Sequence, residues 1–191
     1  MSTDSRSGNG WKMLSSREIY ENPWFRVEEH QVINPGGGEN LYGKVCFKNF
    51  AVAILALDGD SEDHTYLVGQ QRYTLGRYSW ELPMGGAALG SSALASARRE
   101  LKEETGLSAK HWREVMQLDI SNSVTDEYGI VFQARELSHG EPQFDETEDL
   151  SIRRLPFAEV LAMALDGEIT DAISVAAIFH YAYESRKGSH P

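Results

Sequence analysis

The segment that most constrains this chain is residues 80–107, WELPMGGAALGSSALASARRELKEETGL, because it joins a glycine-bearing stretch to an acidic helix. Gly85 and Gly86 indicate a loop. Residues 91–105 are rich in Ala, Leu, Glu, Arg and Lys, which favour helix, and Gly106 supplies a C-terminal stop. We therefore expect a loop followed directly by a helix.

Three glutamates of this helix share one face. At about 100° per residue, Glu100, Glu103 and Glu104 fall at relative angles of roughly 0, 300 and 40°. The apolar residues lie on an adjoining face, so the helix can pack while its carboxylates face a cleft. Like charges four residues apart destabilise a bare helix, so the cluster favours a compensating cation, which Arg99 supplies in part.

The acidic face suits a hard divalent cation. Such ions prefer oxygen ligands, and Mg²⁺ usually binds through one or two carboxylates together with the phosphates of its substrate. The face therefore predicts a site for Mg²⁺ or Mn²⁺. An isolated E-x-x-E-E pattern is more often a solvated helix surface, so the prediction depends on the flanking residues.

The flanking residues carry a family resemblance. Gly85 and residues 99–107 resemble the Nudix box, G-x5-E-x7-R-E-U-x-E-E-x-G-U, in which U is a bulky aliphatic residue. One fixed position differs, since Ser91 replaces the glutamate that in the family braces the motif, partly by pairing with the arginine found here as Arg99. We expect this change to affect loop rigidity, the second metal position and the catalytic rate. Ser91 by itself can serve as a helix N-cap.

Segments beyond the box resemble the ADP-ribose pyrophosphatase branch of the family, which hydrolyses nucleoside diphosphates linked to sugars. Their order and spacing identify the branch, and they are residues 20–25, 70–73, 80–83, 145–149 and 166–171. The resemblance implies an α/β fold, namely the Nudix α/β/α sandwich with a mixed central sheet and an N-terminal antiparallel β extension. It also implies a homodimer that exchanges its N-terminal strands.

The resemblance implies a metal site. Glu100 and Glu104 would ligate Mg²⁺ or Mn²⁺, joined by Glu103, directly or through water, and by the backbone carbonyl of Met84. Arg99 and Glu103 also belong to the implied catalytic set.

The resemblance also implies substrate contacts. Arg72 would hold diphosphate oxygens, because a guanidinium offers a planar set of donors that stays charged. Glu81 would contact sugar or nucleotide hydroxyls, and Trp24 or Phe25 would stack on the base, from the neighbouring subunit. The ordinary alternatives are a solvent-exposed strand end for Arg72 and core packing for the two aromatic residues.

The catalytic base is expected in the acidic loop at residues 141–149, with Glu146 first and Glu148 second. This expectation follows from the branch resemblance. A solvated turn without a catalytic role is the alternative for the same residues.

These features predict a Mg²⁺-dependent hydrolase of a nucleoside diphosphate sugar. ADP-ribose is the favoured substrate, with AMP and ribose 5-phosphate as products, and GDP-mannose or a UDP-sugar is the alternative. Because of Ser91, the second hypothesis is a weakly active or non-catalytic nucleotide-binding Nudix protein. Hydrolysis of free nucleoside triphosphates is disfavoured by the N-terminal sheet.

The predicted organisation has three parts: a disordered tail at residues 1–15, a β-sheet subdomain at residues 16–48 that forms the dimer, and a Nudix domain at residues 49–187. Alternation and turn residues predict strands and helices along the chain. The predicted strands are residues 18–20, 24–33, 41–48, 50–57, 65–72, 114–120, 128–135 and 151–155. The helices predicted after residue 107 are residues 156–165 and 171–185.

Charge and composition narrow the partners and the location. A formal net charge of −11 argues against nucleic acid and anionic membranes as partners, since both are polyanions. The N-terminus lacks the apolar core of a signal peptide, and the apolar run at residues 50–57 is too short to span a bilayer. Cys46 is the single cysteine and cannot form an internal disulfide. We therefore expect a soluble, cytoplasmic protein.

Overall fold

The computed structural model describes residues 10–59, 63–142 and 150–188. These residues form ten strands and three helices. In chain order they are β1 (Lys12–Glu21), β2 (Phe25–Ile33), β3 (Glu39–Phe47), β4 (Asn49–Asp58), β5 (His64–Arg72), β6 (Arg77–Glu81), β7 (Met84–Ala88), α1 (Ala93–Thr105), β8 (Leu107–Asp119), β9 (Tyr128–His139), β10 (Ser151–Pro156), α2 (Phe157–Leu165) and α3 (Ala172–Gly188).

The chain divides into two compact units. The first is Met1–Asn49 together with Ser121–Glu127, and the second is Phe50–Ile120 together with Tyr128–Pro191. The segment Ser121–Glu127 therefore leaves the second unit between β8 and β9 and joins the first. This excursion has no counterpart in the three consecutive parts predicted from the sequence.

The first unit contains, among its described residues, an antiparallel sheet in the order β1-β2-β3. The turn between β2 and β3 is closed by Asn34, whose Oδ1 accepts hydrogen bonds from the backbone N–H groups of Gly36 and Gly38 at 2.9 and 3.1 Å. β1 begins at Lys12, inside the stretch assigned to the tail, and is exposed along its whole length.

The segment Ser121–Glu127 is fastened to this sheet by Asp126. Its Oδ1 accepts a hydrogen bond from the backbone N–H of Phe47 at 2.8 Å, and its Oδ2 pairs with the Lys44 ammonium at 2.8 Å. Partial burial raises the pKa of Asp126, but the bonds to Lys44 and Phe47 outweigh it and leave the pKa below its usual range. The carboxylate therefore stays charged at neutral pH and anchors the segment.

The second unit is a three-layer sandwich around a mixed sheet. Its described strands follow the order β10-β5-β4-β9-β8, with β6 paired to β5 and β7 paired to β4, and β4 runs parallel to β9. Along β4, Val52, Ile54 and Ala56 pack with α1, whereas the alternate residues pack with α2 and α3. Side chains alternate across a strand, so β4 is apolar on both faces. The predicted α/β/α sandwich with a mixed sheet is confirmed.

Three helix ends are set by short polar contacts. α1 begins after Ser92, whose Oγ accepts from the backbone N–H of Ala95 at 3.3 Å, so the N-cap is Ser92 and not Ser91. The left-handed Gly106 (φ 73°) ends α1 as predicted, its N–H donating to the Lys102 carbonyl. Asp171 caps α3 as predicted by accepting from the backbone N–H of Ser174 at 2.8 Å.

Residues 84–88 differ from the sequence expectation. They form strand β7, where the glycines had indicated a loop. Just before this strand, the Pro83 carbonyl accepts a hydrogen bond from the backbone N–H of Ile54 at 2.9 Å, which aligns the segment along β4. Pairing with a central strand therefore overrides the low strand propensity of glycine.

The turn before β7 is also tied to α3. The buried Ser174 Oγ accepts a hydrogen bond from the backbone N–H of Leu82 at 2.9 Å, and both residues are fully buried. A buried backbone donor that lost its partner would cost roughly 1–3 kcal/mol, so this bond fixes where β6 ends.

No helix within the described ranges is long and apolar enough to cross a bilayer.

Candidate active site

The acidic face of α1 is partly buried. Glu100 and Glu104 are only 8% and 3% exposed, whereas the side chain of Glu103 remains 38% exposed. The adjoining stripe of the helix, including Ala97 and Leu101, packs into the core against β4. Glutamates are seldom this buried unless they are paired or bind a cation. Glu100 and Glu104 are therefore set apart from an ordinary solvated helix surface.

Strand β7 lies directly against these carboxylates. A Cβ atom added to Gly85 would lie 2.1 Å from Cδ of Glu100 and 2.3 and 2.4 Å from its two oxygens. Real side chains do not approach so closely, so only glycine allows the backbone and this carboxylate to meet here. On the same strand, the backbone N–H of Met84 donates to Oε2 of Glu104 at 2.9 Å.

Arg99 lies among the box glutamates. Its Nη2 donates to Oε1 of Glu100 at 2.5 Å and to the backbone carbonyl of Gly86 at 3.2 Å, and its Nη1 donates to Oε2 of Glu103 at 2.6 Å. Partial burial lowers the pKa of Arg99, but the charges of the two glutamates outweigh it and raise the pKa overall. The guanidinium is therefore a permanent cation within the acidic face.

The side chains of Arg72 on β5 and Glu81 on β6 form an ion pair. Nε of Arg72 donates to Oε1 of Glu81 at 3.0 Å, and Nη2 donates to Oε2 at 2.5 Å. Glu81 is 3% exposed, while the Arg72 side chain is partly open to solvent. The hydrogen bonds that Arg72 donates to Glu81 raise the pKa of Arg72 against the opposing effect of burial, and the charges of Asp171 and Glu104 add to the rise. The charge of Glu104 on α1 therefore acts on Arg72.

The donor set fits a hard divalent ion. Glu100 and Glu104 offer carboxylate oxygens beside the backbone of β7, and Mg²⁺ and Mn²⁺ prefer oxygen ligands. Within the described ranges, no three His, Cys, Asp or Glu side chains are grouped closely enough to hold a metal ion. Mg²⁺ seldom needs such a cage, because it commonly keeps several waters and completes its shell with substrate phosphates. Glu100 and Glu104, with Glu103 and the carbonyl of Met84, are the groups that would hold it.

Two of the remaining predicted residues belong to the first unit, and two fall outside the described residues. Trp24 and Phe25 belong to the first unit, where Trp24 is exposed and the Phe25 ring packs 6.0 Å from the rings of Tyr20 and Phe47. Glu146 and Glu148 lie outside the described residues.

Sequence reasoning missed Ser174 as a supporting residue. Its hydroxyl positions the strand end that leads into β7, and nothing in its sequence context distinguishes it from other helical serines. The Gly86 carbonyl, an acceptor for Arg99, was missed because a backbone group has no sequence signature.

Comparisons with known proteins cover both units. The chain matches the family described as NUDIX domain over residues 48–176 and the family described as Nucleoside diphosphate sugar hydrolase N-terminal domain over residues 11–45. It is 34% identical over 173 residues to an ADP-ribose pyrophosphatase of Mycobacterium tuberculosis, covering 88% of this chain and 81% of the relative.

Two further similarities concern proteins named for ADP compounds. The chain is 29% identical over 170 residues to the ADP compounds hydrolase NudE of Escherichia coli, covering 87% of this chain and 89% of the relative. A crystal structure of an ADP compounds hydrolase matches with a TM-score of 0.84 and 23% identity, covering 97% of this chain and 99% of that one. At that identity the structural match bears on the fold alone.

Proposed function

This chain is a member of the Nudix family and a pyrophosphohydrolase, and from that premise we propose that it cleaves the diphosphate of a nucleoside diphosphate sugar with Mg²⁺ or Mn²⁺. ADP-ribose is the substrate we favour, giving AMP and ribose 5-phosphate. The relative named ADP-ribose pyrophosphatase, similar over 88% of this chain, supports this choice. GDP-mannose or a UDP-sugar is the alternative substrate.

The observation that carries the proposal is the contact between Gly85 and Glu100. The space at Gly85 is filled by a carboxylate to the exclusion of any Cβ atom. A second buried carboxylate, that of Glu104 on α1, accepts a hydrogen bond from the backbone N–H of Met84 on the same strand. Such an arrangement concentrates negative charge at a place where a cation and an anionic substrate can meet.

The chain's own residues supply binding and proton transfer. When bound, the divalent ion would neutralise the diphosphate and lower the pKa of the attacking water. Arg72 directs its Nε and Nη2 edge to Glu81, so the Nη1 and Nη2 edge is the one that can receive phosphate oxygens. Glu81 holds the guanidinium in that orientation. Glu146, or else Glu148, would accept the proton of the water.

Substrate screening tests the proposal. The purified chain would be incubated with ADP-ribose, GDP-mannose and a UDP-sugar, each with Mg²⁺, with Mn²⁺ or with EDTA, and products would be separated by ion-exchange chromatography. We expect metal-dependent formation of AMP and ribose 5-phosphate, and a deficit of activity in Glu146→Gln. Absence of cleavage of every compound, combined with measurable nucleotide binding, would favour the non-catalytic alternative raised by Ser91.

Arg72→Lys is expected to lower kcat/KM for ADP-ribose by about tenfold to a hundredfold, the scale of a lost charged hydrogen bond of roughly 1.5–3 kcal/mol. Lysine keeps the charge but cannot present paired planar donors to Glu81 and to phosphate. Arg77→Lys is the matched control, because Arg77 faces Arg72 in the hairpin register and its side chain donates to Thr170. A lowered melting temperature with unchanged kcat/KM would instead make Arg72 a structural partner of Glu81.

A homodimer with exchanged N-terminal strands is part of the proposal. Strand β1 is exposed at every position, and it carries Met13, Leu14 and Ile19 on the sheet edge. Long apolar edge strands are seldom left open to solvent, so an additional chain is the expected cover. Light scattering should give twice the 21.4-kDa chain mass. A mass of one chain at assay concentration would contradict the dimer.

A cytoplasmic location also remains part of the proposal. Cys46 is free and buried at 1% exposure, and burial is the main cause that raises the pKa of its thiol. A buried, protonated thiol suits a reducing compartment and needs no disulfide partner.

A further inference from the structure

The guanidinium of Arg99 occupies the acidic face that the proposed metal ion would need. It donates to Glu100 at 2.5 Å, to Glu103 at 2.6 Å and to the Gly86 carbonyl at 3.2 Å. Two of these three acceptors are carboxylates of the proposed metal site. One positive side chain of the protein therefore already neutralises the charge that would attract the ion.

Arg99 occupies one oxygen of a carboxylate that the divalent ion would ligate. Nη2 lies 2.5 Å from Oε1 of Glu100, whereas Mg²⁺ binds carboxylate oxygens at about 2.0–2.1 Å. A guanidinium and a metal ion on that oxygen would also repel each other, since both are cations. The Arg99 side chain is half exposed, so it has room to swing into solvent.

We propose that Arg99 is a resident counter-cation that must leave Glu100 before the divalent ion binds there, and that it thereby lowers the affinity of the site for metal. The inference rests on the proposed metal-dependent function. It differs from a bracing role, in which Arg99 would hold Glu100 in position for the ion and its loss would weaken metal binding.

Arg98 is the natural control for this inference. It neighbours Arg99 in the sequence and carries the same charge, but its guanidinium lies over the Trp112 ring, 5.9 Å from the ring centroid. Helical neighbours point in different directions, so Arg98 is kept away from the acidic face. A change in net charge alone would affect both variants equally, whereas competition for Glu100 affects Arg99 only.

The test measures Mn²⁺ binding without substrate, by electron paramagnetic resonance of free Mn²⁺, on the wild type, Arg99→Gln and Arg98→Gln. We expect Arg99→Gln to bind Mn²⁺ about tenfold more tightly, within the usual range of coupling between two ligands, and Arg98→Gln to bind within about twofold of the wild type. Glu104→Gln, measured in parallel, should weaken binding and so locate the ion on this face. Equal or weaker binding by Arg99→Gln would overturn the inference.

A second variant keeps the test decisive if Arg99→Gln does not fold. Arg99→Lys retains the charge, but a single ammonium cannot bridge Glu100, Glu103 and the Gly86 carbonyl as the guanidinium does. We expect its Mn²⁺ affinity to lie between those of the wild type and Arg99→Gln, and affinity below the wild type would overturn the inference. If neither the wild type nor any Arg99 variant binds Mn²⁺, the metal site itself fails. If the wild type binds and the Arg99 variants bind no better, only the competition fails.

Discussion

Glu104→Gln is expected to lower turnover of ADP-ribose by about a hundredfold or more, the scale of lost electrostatic stabilisation of a transition state. Glutamine has the shape of glutamate and retains an oxygen that can accept the hydrogen bond from Met84 N–H. The link between α1 and β7 is therefore preserved. What disappears is the negative charge of a carboxylate that is only 3% exposed, and with it the charged ligand that we propose for the divalent ion.

The measurement is kcat at saturating Mg²⁺ and substrate, with the melting temperature recorded for each protein. Glu114→Gln, the same chemical change at an exposed position of β8, serves as the control and should leave kcat unchanged. Full turnover by Glu104→Gln, with a normal melting temperature, would refute the metal assignment.

Gly85→Ala is expected to lower kcat by about a hundredfold, the cost that a misplacement of about 1 Å can impose on a catalytic group. The added methyl group would lie 2.1–2.4 Å from the carboxylate of Glu100, so either that side chain or strand β7 must move. The displaced carboxylate could then no longer hold the proposed ion beside the backbone of β7. This variant tests geometry, whereas Glu104→Gln tests charge.

A matched glycine control is available in β3. Gly43→Ala introduces the same methyl group where nothing lies within 4 Å, and its backbone is not in the left-handed region. Both glycine variants would be assayed for kcat and for thermal unfolding. Wild-type turnover by Gly85→Ala would mean that Glu100 can move without consequence for the reaction, and the proposed role of the close approach would be wrong.

Much of the fold follows from local pattern. The apolar run of β4, Gly106 after α1 and Asp171 before α3 each predicted the element that the structure contains, because burial on two faces and helix capping are local properties. Strand β7 and the excursion of Ser121–Glu127 were not predicted. Both depend on pairing with residues distant in the chain, and no local propensity records such pairing.

The site was predictable in composition but not in its contacts. Helical spacing alone places Glu100, Glu103 and Glu104 on one face, and the i,i+4 relation anticipates the pair of Arg99 with Glu103. The bond from Arg99 to the adjacent Glu100 runs against that rule, because neighbouring residues of a helix do not face each other. It forms because a long arginine side chain can curl back, so that Nη2 reaches both Glu100 and the Gly86 carbonyl while Nη1 binds Glu103.

The contact between Arg72 and Glu81 also required the structure. Each residue was assigned to the substrate separately, and the strand register places Arg72 opposite Arg77 and Glu81 opposite Val68, so only the side-chain contact itself joins them. Under the proposed function, the guanidinium would meet an incoming phosphate already oriented, so less side-chain freedom would be lost on binding.

The path of Ser121–Glu127 bears on how the chain matures during synthesis. Domains generally fold as units, beginning with the N-terminal one as it emerges from the ribosome. Here the N-terminal sheet lacks the partners of Lys44 and Phe47 until Asp126 has been translated, long after β3 itself has appeared. By then the strands from β4 to β8 have also been synthesised. Most of the second unit is therefore translated before the first unit can be completed. Dividing the chain after residue 49 would split the first unit instead of separating the two units.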